Sequence, residues 1–165
     1  MDYAHRWTID TRRDGPYESY YQNGQAWKKG TYKDGKWHGP FEEYYENGQL
    51  KSRGTYKYGK RDGPFEYYED GRLKSRGVYQ NGKKHGVWKF RHPFAGHASI
   101  RSEMKEHYRK GKRHGPQEFY FASGQVQMRV MWKNGKKHGP SEVYHKDGQL
   151  RIKENWKAGH LDYSC

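Results

Sequence analysis

Four histidines, His38, His85, His114 and His138, each fall immediately before a glycine, and Asp14 and Asp62 hold the same slot elsewhere in the chain. Imidazoles and carboxylates at one recurring position suggest a metal array or a row of general bases. The spacing argues against both. On successive hairpins of one sheet such slots stand two strands apart, about 9 to 10 Å, whereas zinc takes its nitrogen ligands at about 2.1 Å. A turn residue that hydrogen-bonds nearby backbone explains the exchange of His for Asp. Ser52, Ser75, Ser102, Ser123 and Ser141 lack the strand-to-helix elbow of a serine hydrolase. GKxxG is too short to be a phosphate-cradling P-loop. The sequence thus leads us to expect no catalytic residue, no metal site and no cofactor.

Binding chemistry is better represented. Lys36, Lys60-Arg61, Lys83-Lys84, Lys112-Arg113 and Lys136-Lys137 recur between the two glycines of GKxxG, in what the sequence suggests are loops joining hairpins. Stacked, they would line one edge as a basic rail suited to phosphates or carboxylates; lysines that keep sheet edges from aggregating are the competing explanation. Tyr44, Tyr120 and Tyr144, with Tyr20, are expected on a charged outer face, where ordered rings among Arg and Glu make good protein-contact surface. Trp37, in a slot otherwise held by Lys or Arg, and Phe94, in an irregular loop, are the expected exposed anchors.

These residues must be positioned by a repeat. The glycine after His or Asp recurs at Gly15, Gly39, Gly63, Gly86, Gly115 and Gly139, in steps of 24, 24, 23, 29 and 24 residues. A period of that size marks stacked supersecondary units. Asn23-Gly24, Asn47-Gly48, Asp70-Gly71 and Asp147-Gly148 read as type I′ hairpin turns. A turn at Asn47-Gly48 puts Tyr45 opposite Leu50, Glu42 opposite Arg53 and Phe41 opposite Gly54. Alternation then gathers Phe41, Tyr45, Leu50, Gly54 and Tyr56 on one face and Glu42, Tyr44, Lys51 and Arg53 on the other. Lys29, Arg53, Arg129 and Lys153 fall opposite Glu18, Glu42, Glu118 and Glu142, and Phe41 and Tyr17 are expected to cover Gly54 and Gly30.

The expected fold is all-β: an elongated, single-layer antiparallel meander of stacked hairpins. Residues 1–13 form a capping strand and residues 14–162 six repeats, starting near 14, 38, 62, 85, 114 and 138. The fourth repeat carries an insertion at about 91–101, and residues 163–165 are a tail. The third is one residue short between Gly63 and Gly71, which requires a compensating bulge.

Composition fits a thin layer. Only 31% of the 165 residues are hydrophobic, and 16 Tyr, 6 Trp and 6 Phe supply most of that. The net charge of +14 points to an acidic partner, with solubility as the plain alternative. One cysteine, Cys165, excludes a disulfide framework, and a cytoplasmic location is expected. No window is apolar enough to span a bilayer.

The unit GPFEEYYENGQLKSRGTYKYGKRDG, starting at Gly39, resembles the MORN repeat (membrane occupation and recognition nexus), in the variant form of bacterial YwqK-type antitoxins. The resemblance implies a binding protein rather than an enzyme, one that occludes a protein partner such as a toxin or effector. Non-specific nucleic-acid binding along the basic edge, peripheral contact with anionic membrane and homodimerisation are the alternatives.

Overall fold

Every second turn is a two-residue type I′ turn, and these turns set the strands. At Tyr58-Gly59 both residues have positive φ, 50° and 78°, the combination that matches strand twist. Asp34-Gly35, Asn81-Gly82, Asn134-Gly135 and Ala158-Gly159 repeat it. The structure, a computed structural model, describes residues 14–91 and 103–163. The expected cap strand over 1–13, Phe94, nearly all of the expected insertion and Cys165 lie outside the described residues.

The described residues form thirteen strands in two compact units, Met1–Lys83 and Lys84–Cys165. The first unit holds β1 (Gly15–Tyr20), β2 (Ala26–Lys33), β3 (Lys36–Tyr44), β4 (Leu50–Lys57), β5 (Lys60–Glu69) and β6 (Arg72–Gln80). The second holds all but the first residue of β7 (Lys83–Arg91), then β8 (Glu103–Arg109), β9 (Lys112–Tyr120), β10 (Val126–Lys133), β11 (Lys136–Tyr144), β12 (Leu150–Lys157) and β13 (His160–Leu161). Within each unit every strand pairs antiparallel with its chain neighbour, so the all-β meander is present in both.

The Asn-Gly turns differ from the expectation. Around Asn47, Tyr45 N–H donates to Gln49 O at 2.8 Å and Gly48 N–H to Tyr45 O at 2.9 Å, enclosing three loop residues rather than two. Asn47 is there because its Oδ1 accepts the Gln49 N–H at 3.0 Å. A bulge at Lys51 absorbs the extra residue: Tyr44 faces Leu50, yet Glu43 faces Ser52 and Phe41 faces Gly54 as expected. The bulge exchanges two faces. Leu50 stands opposite Tyr44, and Lys51 reaches Glu43 at 3.1 Å. In the short third repeat the missing residue comes out of the turn, leaving a true two-residue I′ turn at Asp70-Gly71.

The repeat-marking glycines are not turns either. Gly54 pairs with Phe65 and Tyr56 with Arg61, so Asp62, Gly63 and Pro64 together face Thr55, and Gly63 has φ 103°. This is a bulge inside β5, where a proline without N–H is tolerated.

In the first unit the aromatic face is one chain of edge-to-face rings. Tyr17–Trp37, Trp37–Phe41, Phe41–Tyr56, Tyr56–Phe65 and Phe65–Tyr79 centroids lie 5.1, 5.0, 5.0, 5.8 and 5.4 Å apart. Phe41 and Tyr17 stand opposite Gly54 and Gly30 as expected, but the ring atoms nearest those glycines belong to Phe65 and Trp37. The nearest cover therefore comes from the strand that follows each glycine.

A Cβ on Gly54 would come within 2.1 Å of Phe65 Cδ2. Gly54→Ala is expected to destabilise the first unit by about 1–3 kcal/mol through overpacking; an unchanged urea midpoint would contradict this packing.

Candidate functional site

Two surfaces carry the charged residues, and strand alternation separates them. Lys60-Arg61, Lys83-Lys84, Lys112-Arg113 and Lys136-Lys137 lie in strands, not loops. Lys36, Lys60, Lys83, Lys112 and Lys136 are exposed, while their chain neighbours turn to the aromatic face. Arg61 lies over Phe65, Tyr67 and Tyr79 with 5.1–5.8 Å to the centroids. Lys84 lies over Trp88, Phe90 and Tyr108 at 4.3, 4.9 and 5.0 Å, and burial there pulls its ammonium below the ordinary lysine range. Arg113 covers Trp132 at 4.9 Å and Lys137 covers Trp156 at 4.2 Å. Four of the nine residues of the expected rail are therefore a lid on the rings. Trp37 holds this same slot in β3 and is packed, 4.2 Å from Tyr32 by centroid, so it is not an exposed anchor.

The exposed lysines flank the I′ turns, and each turn docks on the one before. Gly59 N–H donates to Trp37 O and Gly82 N–H to Arg61 O, both at 2.8 Å; Gly135 and Gly159 do the same to Arg113 and Lys137 at 2.8 and 2.9 Å. At Asp62, His114 and His138 the His/Asp slot serves this edge, whereas the buried Nδ1 atoms of His38 and His85 have no hydrogen-bond partner among the described residues. Asp62 Oδ2 accepts the Asn81 N–H at 2.9 Å, and His114 and His138 accept from Asn134 and Ala158 at 3.4 and 3.5 Å. Among the described residues no group of three His, Cys, Asp or Glu is placed to hold a metal.

The opposite face carries a ladder of charge. In the first unit Glu18, Lys29, Glu42, Arg53, Glu66 and Arg76 stand side by side across β1 to β6. Lys29 pairs with Glu18 at 3.3 Å, but Arg53 turns from Glu42 to Glu66 at 2.7 Å. In the second unit Lys105, Glu118, Arg129, Glu142 and Lys153 alternate in the same way, with Arg129–Glu118 at 3.0 Å and Lys153–Glu142 at 3.8 Å, while Lys89 stands opposite Lys105 and pairs instead with Glu103 at 3.4 Å.

A Glu-x-Tyr motif fixes the tyrosines on this face. Tyr44, Tyr68, Tyr120 and Tyr144 donate to Glu42, Glu66, Glu118 and Glu142 at 2.5, 2.7, 2.6 and 2.7 Å, and Tyr20 donates to Glu18. Burial, then the Glu42 hydrogen bond, pushes Tyr44 up to about 12. The Tyr68 hydroxyl holds Glu66 below the ordinary carboxylate range, with Arg53 assisting. In the first unit Lys29, Glu42, Arg53 and Glu66 rim an open groove of about 480 Å³ floored by Thr31, Pro40, Thr55 and Pro64.

Comparison with known families agrees with this periodicity. The MORN repeat variant model matches residues 13–34, 37–58, 61–81, 113–134 and 137–158, well over half of the chain. The chain belongs to the MORN repeat variant family. No curated protein matches it.

The stretch between the third and fourth MORN matches departs from the repeat in its core. Counting back from the I′ turn, Gly30, Gly54 and Gly77 share a slot that Glu106 fills in β8 and Val130 in β10. Glu106 is only 2% exposed. Its carboxylate accepts from Gln117 Nε2 at 2.8 Å, Arg113 Nε at 2.8 Å and Tyr108 Oη at 2.5 Å, and Gln117 Oε1 accepts from Trp132 Nε1 at 3.0 Å. Burial and the Glu106 bond push Tyr108 up to about 12.

The sequence reading missed this cluster, although alignment on Lys110-Gly111 places Glu106 in a glycine slot. It also missed Lys57 and Lys133, which face Lys60 and Lys136 across the turns.

Glu106→Ala is expected to lower stability by about 2 kcal/mol, because Gln117 and Arg113 lose their acceptor while the outer part of Arg113 rehydrates. Urea unfolding checks this. Tyrosines with raised folded pKa stabilise the fold fully below the unfolded value near 10, and that contribution is lost as pH rises towards 12. Tyrosine absorbance should therefore show a late-ionising fraction, with stability falling between pH 10 and 12.

Proposed function

We propose that this protein acts without catalysis, by binding and occluding a protein partner on the ladder face, in the manner of an inhibitor or antitoxin. One observation carries the reading: Tyr20, Tyr44, Tyr68, Tyr120 and Tyr144, with Lys29, Arg53 and Arg129, are already held by hydrogen bonds or ion pairs to glutamates within the chain. Ordering side chains on association costs about 0.5–1.5 kcal/mol for each rotamer-rich residue; here that cost is met on folding. Tyr and Arg are also the residues that most often anchor protein contacts. The open groove between Thr31 and Pro64, rimmed by Lys29, Glu42, Arg53 and Glu66, offers a shallow recess of the kind a protruding loop or side chain fills. The acid-base alternation gives charge register to such a contact.

Affinity capture from the native host followed by mass spectrometry tests the reading. A protein should be recovered, and Arg53→Glu together with Tyr44→Ala should weaken its retention by about tenfold or more. Recovery of nucleic acid with no protein would defeat it.

A further inference from the structure

Between consecutive turns of the first unit lies a cleft of about 550 Å³, lined by Lys36, Lys57, Tyr58, Lys60, Asp62 and Gln80. Lys57 and Lys60 stand directly opposite each other in the β4–β5 ladder, an arrangement that works against strand pairing. The same opposition recurs at Lys33 and Lys36, Arg109 and Lys112, and Lys133 and Lys136. None of Lys36, Lys57 and Lys60 forms an ion pair with a described residue.

The cleft is framed by the turns. A Cβ on Gly59 would sit 3.6 Å from Lys36 Cβ, and one on Gly82 would sit 3.7 Å from Lys60 Cβ, so each turn passes beside the stem of a lysine from the preceding hairpin. The Tyr58 ring is set edge-on to His38, with centroids 5.1 Å apart. Asp62, the one acid in the lining, gives an oxygen to the Asn81 N–H. Three ammonium groups against that carboxylate leave two positive charges. The Tyr58 hydroxyl and the Gln80 amide add neutral donors.

We propose that this cleft is a binding site for a phosphoryl group. A phosphate monoester carries about −1.5 to −2 charge at neutral pH and three acceptor oxygens, which matches the charge and donors that converge here; a single carboxylate would leave a cation uncompensated. The second unit repeats the residue pattern. A Cβ on Gly135 or Gly159 would sit 3.9 Å from the Cβ of Lys112 or Lys136, Lys133 and Lys157 take the places of Lys57 and Gln80, and His138 takes that of Asp62. Without the acid, the corresponding position of the second unit should bind more tightly. The site lies on the turn edge rather than the ladder face, so it stands or falls separately from the partner proposed above.

Calorimetric titration of the full chain with inorganic pyrophosphate at low salt tests a soluble source. Co-sedimentation with phosphatidylcholine vesicles carrying phosphatidic acid tests a headgroup source. Saturable binding in either arm is expected, and the responding arm names the source. Combined Lys57→Gln, Lys60→Gln, Lys133→Gln and Lys136→Gln should weaken it at least tenfold, whereas Lys29→Gln on the ladder should leave it unchanged. These variants relieve like-charge pairs, so a retained or raised melting temperature is expected and confirms folding. Absence of saturable binding in both arms, equal affinity for glutarate, or an unchanged constant in the quadruple variant would overturn the site.

Discussion

A sheet with no second layer must cover its rings with material from its own face, and each unit of this chain is organised by that need. In the first unit the solution is to remove side chains. Gly54 leaves bare backbone for Phe65 to lie on, and Gly30 does so for Trp37, closing the gap to less than a Cβ would allow. What the glycine does not cover, a cation does: Arg61 spreads its guanidinium above Phe65, Tyr67 and Tyr79. Its stem also shields apolar area that the charge alone would not.

The second unit meets the same need by exchanging volumes. Glu106 and Val130 fill glycine slots, and β9 and β11 respond with Gln117 and Ser141 where β3 and β5 have Phe41 and Phe65. A carboxylate in that slot is tolerable only because three donors surround it. The register of β8 and β9 is thereby tied to a polar pairing that a one-residue slip would break.

The repeat, the antiparallel meander and the core register were legible because glycine, proline and aromatic spacing encode them directly. Phe41 facing Gly54 follows from counting out from Asn47-Gly48, and a bulge restored that count after the loop took three residues. What escaped was any feature in which two local signals compensate. The Asn47 loop and the Lys51 bulge cancel in register but not in facing, so Leu50 and Lys51 changed sides. GKxxG reads as loop because glycine brackets it, yet its second glycine is a bulge in a strand. Trp37 followed from the same error: in a loop it would be exposed, but in β3 it alternates with Lys36 and falls among the rings. Glu106 escaped for a different reason, since a glutamate between two other polar residues gives no hydrophobic signal.

Charge is partitioned along the same lines as packing. The first unit's ladder sets three acids against three bases, and the Glu-x-Tyr bonds bind that neutrality into the sheet. The cations on the aromatic face are occupied by rings. The turn edge has neither kind of compensation: lysines face lysines across the I′ turns. Exposed like-charge pairs are screened beyond about 10 Å at moderate salt, which limits the cost of repeating them but does not explain why they are placed opposite one another. Solubility would be served equally by lysines at staggered positions. Each turn glycine that docks on the preceding strand passes beside a lysine stem, so the hydrogen bonds that tile the hairpins set the strand positions from which these lysines project. Folding of the repeat consequently brings its lysines to one edge, because the turns that tile the hairpins also set where those residues leave the strands.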